Sequence, residues 1–487
     1  MEYKEKSLKK NFCMNAILTM SQFIFPLITF PYVSRILLAE GTGKVSFATS
    51  IISYFAMFAQ LGIPTYGIRA CAQVRNDKKK LSKTTQEIFI INIIMSILAY
   101  IVFFIAVCNV PRLKDEKILL IIVSSTIFFN AIGMEWLYKA LEQYTYITIR
   151  SVIFKFIALM AMFLLINQQS DYIIYGAISI FASSASNIFN FVNVHKYISL
   201  RPVGKYNFKQ HLKAVSVFFA LSCAATIYVN LDTVMLGFMK TNADVGYYNA
   251  AVKIKTILVS IVTSLGTVLL PRASYYVEHG LKEDFYRITQ KAINFVFLVA
   301  TPLMLYFVFF AKEGIFFLSG NNYSGAIVPM QIIMPTLLFI GLTNSMGMQI
   351  LVPLGKENIV LYSEIVGAIV DLVINYILIP KYASAGAAIG TLVAEIAVWI
   401  VQYIYLRKQI KDAYKNVRYG ILILALFLGS IVSLWVKSVF SGSFIVLLIS
   451  AILFFGVYFI ILTIAKEPLI YKIEEGLLTK LKKKGKK

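Results

Sequence analysis

The stretch EIFIINIIMSILAYIVFFIAVC at residues 87–108 decides the fold class of this chain. Its only charged residue is Glu87, at the first position. An α-helix needs about 20 apolar residues to cross the hydrocarbon core of a bilayer, and this stretch has that length. Because lipid offers no partner for backbone polar groups, and because no strand-like alternation is present, the stretch is predicted to be a transmembrane helix.

Similar stretches recur along nearly the whole chain, and we count about fourteen of them. They cover residues 12–38, 43–64, 87–108, 118–139, 149–166, 172–194, 214–239, 245–270, 292–311, 327–353, 358–380, 384–406, 419–436 and 443–465. The sequence therefore predicts an all-α polytopic membrane protein. Prolines inside the first, ninth and tenth spans predict kinks in those helices.

The composition supports this class and excludes others. The chain is 59% hydrophobic and 15% charged, with a mean hydropathy of +0.74, whereas soluble domains carry about 25% charged residues. The net charge of +23 comes from short clusters between spans, which indicates membrane topology and not nucleic-acid binding. The four cysteines and three histidines lack metal-ligand spacing, with the histidines expected in cytoplasmic loops, and no phosphate-binding ATP motif is present. We expect no metal, no cofactor and no catalytic residues.

Lysine and arginine clusters follow every second span, which places both termini in the cytoplasm. The clusters between spans lie at residues 69–83, 196–213, 272–291 and 407–418. The longest outer connection, residues 312–326, is too short for a soluble domain. This argues against a membrane-embedded glycan polymerase or transferase.

A weak internal repeat relates residues 38–69 to residues 241–272, although chance similarity between apolar helices is an alternative. The corresponding positions are Gly43 and Gly246, Gly62 and Gly266, and Arg69 and Arg272. The repeat predicts two six-helix halves of the same orientation, with a substrate site between them. The predicted domains are residues 1–200, 201–411, two additional helices at 412–465, and a basic amphipathic cytoplasmic tail at 466–487. A disordered tail is the alternative.

Charged residues inside the spans are candidates for function, because each costs about 2.5–3.5 kcal/mol to insert. The cations are Arg35, Lys155, Lys253 and Lys255, and the acids are Glu135, Asp232, Glu364, Asp371 and Glu395. Four of these acids are expected either to couple transport to ions or to form structural contacts between helices, namely Asp232, Glu364, Asp371 and Glu395.

Asp232 and Lys253 lie at similar depth in adjacent spans, where they would line a cavity or form a structural ion pair. Lys253 and Lys255 point about 200° apart on one helix, so one of them is expected to be structural or to snorkel to the interface. Arg69 and Arg272 would receive a diphosphate at the cytoplasmic mouth, or they reflect topology alone. For Arg35 and Lys155 the alternative is snorkelling to the interface.

Several segments resemble bacterial oligosaccharide repeat-unit flippases, which belong to the multidrug/oligosaccharidyl-lipid/polysaccharide exporter superfamily. The likeness covers about residues 10–400. It is carried by FPLITFPYVSR at 25–35, LGIPTYGIR at 61–69, EWLY at 135–138, YITIR at 146–150, NLDTVMLG at 230–237, VGYYNAA at 245–251 and the run 263–272.

This resemblance implies a MATE-like V of two six-helix bundles plus helices 13 and 14. It implies alternating-access translocation of undecaprenyl-diphosphate-linked glycans across the bacterial cytoplasmic membrane, for capsule, exopolysaccharide or O-antigen assembly. Cavity cations would neutralise the diphosphate, the polyprenyl tail would stay among membrane lipids, and polysaccharide polymerases and glycosyltransferases are expected partners. A cation-coupled multidrug exporter of the same fold is the main alternative.

Overall fold

The computed structural model describes residues 8–415 and 417–471, and no residue in these ranges is in a β-strand. The chain divides into two compact units, Met1–Gly246 and Tyr247–Lys487. These compact units are not the predicted six-helix halves, because the halves are defined by the sequence repeat. The boundaries of the halves remain a prediction. Most of the predicted tail, residues 472–487, lies outside the described residues.

The first unit, called unit 1 below, is built on one long helix that contacts most of the others. Its helices are α1 Leu8–Gln60, α2 Ile63–Gln73, α3 Lys78–Asn109, α4 Pro111–Lys114, α5 Lys117–Gly133, α6 Glu135–Ala140, α7 Tyr144–Leu165, α8 Tyr172–Ile180, α9 Asn187–Asn193 and α10 Lys209–Met239. α1 packs against α3, α5, α7 and α10. Buried apolar residues join α1 to α7, with Val33 and Leu37 packed in one cluster with Ala158 and Met162.

The second unit, called unit 2, begins with the remainder of a helix that starts in unit 1. Its helices are α11 Asn242–Glu278, α12 Lys282–Phe309, α13 Ala311–Ser319, α14 Ile327–Ile333, α15 Thr336–Met346, α16 Glu357–Lys415, α17 Tyr419–Leu434, α18 Val436–Val439 and α19 Ser443–Ile464. α16 packs against α12, α14 and α15, and α17 pairs with α19. The predicted kink of the tenth span is present, because the chain bends by 44° at the break before Thr336.

Two long helices each contain two predicted spans. Leu38 interrupts α1 with φ 55°, and Ala383 interrupts α16 with φ 47°. A residue with a Cβ in this region is strained, so each position marks a sharp change of direction. Among the described residues ten helices are long and apolar enough to cross a membrane, or eleven with the bent pair. Two spans in each interrupted helix and the shorter apolar α5 make the structure compatible with about fourteen spans.

One close helix approach joins positions that the repeat predicts to be equivalent. A Cβ on Gly43 would lie 1.8 Å from the carbonyl oxygen of Asn242. A Cβ on Gly246 would lie 2.1 Å from the carbonyl oxygen of Ala39. The contact is reciprocal, since each glycine meets the residue four positions before the other. Glycine is therefore required at both positions for the two backbones to approach.

Candidate functional site: polar pockets and buried acids

Unit 1 contains a polar pocket of about 680 Å³ between α1, α5, α10 and the segment after α8. None of the described residues that line it is charged or aromatic. Its polar lining consists of hydroxyl and amide side chains, from Thr49, Ser53, Gln60, Thr126, Asn130, Ser183, Ser184, Ser222, Thr226 and Asn230. Such side chains both donate and accept hydrogen bonds, so the pocket can bind a ligand rich in hydroxyl groups.

The pocket wall includes an irregular turn of helix. Residues Phe181–Ala185 form a π-helical segment that continues α8, and such segments are common at functional sites. The turn contributes two of the lining hydroxyls, and Ser184 Oγ lies 2.8 Å from Thr126 Oγ1 on α5. The local sequence of this turn is FASSA, and its two serines, Ser183 and Ser184, are too small to fill the pocket.

A second pocket of about 170 Å³ continues the first and contains charged residues. The two pockets share Gln60, Pro64 and Asn130 as lining residues. The smaller one adds Asn92, Glu135, Trp136, Lys139 and Asn187. Together they form one polar recess, whose lining is neutral at one end and charged at the other.

Glu135 is positioned by a break that the sequence did not predict. The expected span at 118–139 ends as α5 at Gly133, because Met134 adopts φ 42°. Glu135 then begins α6, where its carboxylate lies 2.8 Å from Lys139 Nζ. The other carboxylate oxygen is 3.4 Å from Nη2 of the buried Arg150. Two cations therefore balance this acid, and the carboxylate is held in a fixed orientation.

A buried acid, Glu87, joins three segments of unit 1. His211 Nε2 lies 2.8 Å from Glu87 Oε2, and Tyr66 Oη lies 2.7 Å from the other ring nitrogen, Nδ1. The backbone N–H of Asn207 donates to Glu87 Oε1 at 2.7 Å. The expectation that all histidines lie in loops is wrong for His211, which is 3% exposed within α10. The long sequence separation of these partners hid the cluster from sequence reasoning.

Unit 2 also contains a buried acid. Asp371 is 2% exposed and accepts a hydrogen bond from Asn375 Nδ2 at 3.1 Å. The neighbouring part of α16 approaches closely, because a Cβ on Gly390 would lie 2.1 Å from Asn375 Oδ1 and 3.0 Å from Asp371 Oδ1. Next to it, the Thr391 hydroxyl lies 2.9 Å from Tyr248 Oη.

The predicted cations differ in exposure. Arg69 and Arg272 are exposed, as is Arg35, whose guanidinium donates to the carbonyl of Pro31. Lys253 and Lys255 are half-buried on α11. Lys155 is also half-buried, and its Nζ donates to Ser21 Oγ at 2.7 Å. That contact links α7 to α1 within unit 1.

The remaining predicted acids also separate by burial. Asp232 is 4% exposed and Glu395 is 6% exposed, whereas Glu364 lies exposed on α16. Asp232 belongs to unit 1 and Lys253 to unit 2, and their pairing remains a prediction. The roles assigned to all these charges remain predictions as well.

Sequence reasoning missed the neutral pocket and most of its residues. It singled out charged residues because charge inside a membrane is costly, whereas serine, threonine and asparagine are tolerated in transmembrane helices. The one available signal is a concentration of small polar residues in otherwise apolar spans, as in SSAS at residues 183–186.

Solved structures of transporters have this fold. The chain aligns with a lipid II flippase MurJ in an inward closed conformation over 93% of this chain and 100% of that one, with a TM-score of 0.72 and 16% identity. An inward-facing multidrug resistance MATE family transporter of the MOP superfamily aligns over 83% of this chain and 99% of its own, with a TM-score of 0.65 and 14% identity. The protein is therefore a multi-pass membrane protein with the MurJ and MATE transporter fold.

Its family is shown by sequence. The family model described as "Polysaccharide biosynthesis protein" matches residues 8–277, which is more than half of the chain, and the chain belongs to this family. The model described as "MatE" matches residues 218–377. A "Putative O-antigen transporter" of Escherichia coli is 23% identical over 410 residues, covering 84% of this chain and 98% of that protein.

Proposed function

We propose that this protein is a flippase that moves undecaprenyl-diphosphate-linked oligosaccharide repeat units across the bacterial cytoplasmic membrane by alternating access. The product would enter capsule, exopolysaccharide or O-antigen assembly. The observation that carries the proposal is membership of the polysaccharide biosynthesis family across residues 8–277. The near-complete coverage of a putative O-antigen transporter supports it. Both termini would lie in the cytoplasm, consistent with the lysine and arginine clusters.

The diphosphate would be neutralised by the cations that the sequence places in or beside the spans. These are Arg35, Arg69, Lys155, Lys253, Lys255 and Arg272. Exposed arginines suit this role because a guanidinium can donate two parallel hydrogen bonds to phosphate oxygens. The polyprenyl chain would remain in the lipid, because the transfer of its apolar surface into water is unfavourable.

Ion coupling would reside in the buried carboxylates, which are Asp232, Asp371 and Glu395, and in the exposed Glu364. Within unit 2, Asp371 is held by the amide of Asn375 at 3.1 Å. A charge is costly to bury, so Asp371, which is 2% exposed, is the leading member of this set. Polysaccharide polymerases and glycosyltransferases would act after and before the flippase.

Deleting the gene tests the proposal directly. Lipid-linked repeat units should accumulate on the cytoplasmic side of the membrane. To measure this, sealed membranes are treated with a membrane-impermeant glycan-modifying enzyme, which reaches one leaflet only, and the lipids are then extracted. A deletion strain with no accumulation would contradict the proposal.

Charge reversal tests the diphosphate site. Lys253→Glu and Arg272→Glu should each lower glycan export at least tenfold, because a like charge repels the diphosphate. The matched control is Lys196→Glu, an exposed lysine in the connection before α10, which should export normally at the same expression level. Normal export by the first two variants would remove them from the site.

The MatE match over residues 218–377 favours one second candidate, a cation-coupled multidrug exporter. Accumulation of fluorescent cationic dyes in the deletion strain separates the two functions. Dye retention without any change in lipid-linked glycan would favour the exporter.

A further inference from the structure

We infer that the polar recess of unit 1, defined by the residues lining its two pockets, binds the sugar residues of the transported glycan. This inference rests on the proposed function and names the part of the protein that recognises the carbohydrate. None of the residues that the sequence predicted to bind substrate lines this recess.

The size and chemistry of the recess fit a carbohydrate. Its larger pocket measures about 680 Å³, within the range of roughly 300–1,000 Å³ that is usual for small-molecule sites. Each sugar hydroxyl donates one hydrogen bond and accepts others, and hydroxyl and amide side chains complement it in both senses. Organic cations are recognised by aromatic faces or carboxylates, and the described lining of the larger pocket has neither.

Several lining groups retain hydrogen-bonding capacity. In the described part of the chain, the side chains of Gln60, Ser222 and Thr226 make no hydrogen bond to protein. Thr126 and Ser184 bond to each other at 2.8 Å, which leaves lone pairs on both oxygens. Polar groups that face a pocket without protein partners are satisfied when a polar ligand binds.

Trp136 is an independent indication of a ligand. It lines the smaller pocket and is 5% exposed. Its indole N–H has no hydrogen-bond acceptor among the described residues. A buried indole N–H normally donates to an acceptor. Gly67 allows this packing, because a Cβ there would lie 2.6 Å from Trp136 Cε3.

Glu135 completes the recess at its charged end. Its carboxylate is oriented by Lys139 at 2.8 Å and Arg150 at 3.4 Å. A carboxylate accepts hydrogen bonds from sugar hydroxyls, and the paired cations prevent a net negative charge that would repel the diphosphate. The recess can thus distinguish glycans that share the same diphosphate, since a site built to bind hydroxyl groups disfavours ligands that lack them.

Binding to the purified full-length protein tests the inference. In a Trp399→Phe/Trp435→Phe background, Trp136 is the single tryptophan and its fluorescence reports on the recess. Two probes are titrated: lipid-linked glycan extracted from the deletion strain, and undecaprenyl diphosphate without sugars. We expect the glycan probe to bind more tightly and to change the fluorescence, while the sugarless probe leaves it unchanged.

The pocket variant Thr126→Val/Thr226→Val keeps shape and removes two hydroxyls. It should bind the glycan probe about tenfold more weakly, as expected for two lost hydrogen bonds, and the sugarless probe equally well. Thr29→Val is the matched control. Thr29 is a buried threonine of unit 1 that does not line the recess, and its hydroxyl donates to its own helix at 3.0 Å.

Trp136→Phe should weaken glycan binding several-fold, with its thermal unfolding measured alongside.

Two results would overturn the inference. One is equal affinity of the wild-type protein for both probes, and the other is unchanged glycan affinity in the pocket variant. Failure of the proposed function has a different signature, because the deletion strain would then accumulate no lipid-linked glycan. In that case both proposals fall together, whereas accumulation with unchanged variant affinity removes only the sugar site.

Discussion

Each unit contains a carboxylate that is almost fully buried, and the hydrogen bonds of the two carboxylates come from different distances along the chain. In unit 1, the backbone N–H of Asn207 donates to Glu87, and His211 Nε2 lies 2.8 Å from it, so these partners are 120 and 124 positions away. In unit 2, Asp371 accepts a hydrogen bond from Asn375, four positions along the same helix, at 3.1 Å. The contacts of Glu87 join distant segments of unit 1, whereas the contact between Asp371 and Asn375 stays within about one turn of α16.

This difference suggests a division of labour between the units. Unit 1 contains the recess that we propose to bind the sugars, and the lining of its larger pocket is neutral. Unit 2 contains a buried carboxylate at the close approach of Gly390, and we propose this carboxylate for ion coupling. Three substitutions would break or sharpen this comparison.

The largest effect is expected from Glu87→Ala, at the buried cluster of unit 1. The change leaves His211 and the N–H of Asn207 without their acceptor, and each buried donor left unsatisfied costs about 1–3 kcal/mol. Thermal unfolding in detergent should therefore shift strongly to lower temperature. Glu283→Ala, at an exposed acid of α12, is the control. An unfolding midpoint equal to that of the control would show that the cluster does not stabilise unit 1.

An intermediate effect is expected from Asp371→Asn in unit 2. Asparagine keeps the shape of the side chain but removes its charge, so transport should fall at least tenfold, or about 1.4 kcal/mol, with little change in stability. Flipping in proteoliposomes and thermal unfolding measure the two quantities. Asp284→Asn, at a half-buried acid of α12 paired with Arg287 at 3.7 Å, should transport normally. Strong destabilisation with normal transport would make Asp371 structural and remove the contrast between the units.

The smallest effect is expected at Asp77, the N-cap of α3. The backbone N–H groups of Lys80 and Lys79 hydrogen-bond its carboxylate and hold the pKa of Asp77 below its ordinary value. A lowered pKa means that the stabilisation is present above the unfolded pKa of about 3.9 and is lost as the pH falls through the folded pKa. Asp77→Ala should lower the unfolding temperature slightly at pH 7 and have no effect at the acid end of a pH series. A pH-independent difference would contradict this assignment.

The sequence by itself determined the class of protein and the positions of its long apolar helices. The stretch at 87–108 is helical in the structure, within α3, because a long apolar segment in lipid must satisfy its own backbone hydrogen bonds. The interruption near Leu38 also lies where the first predicted span ends. These properties depend on local composition, so one sequence is enough to read them.

Only the tertiary structure decided which polar side chains meet. Glu87 and His211 are 124 positions apart, and Thr126 meets Ser184 across a separation of 58. Such contacts depend on helix rotation and on local breaks such as Met134, which ends α5 before Glu135. Helix rotation is set by the packing of many side chains at once, and hydropathy carries no information about it.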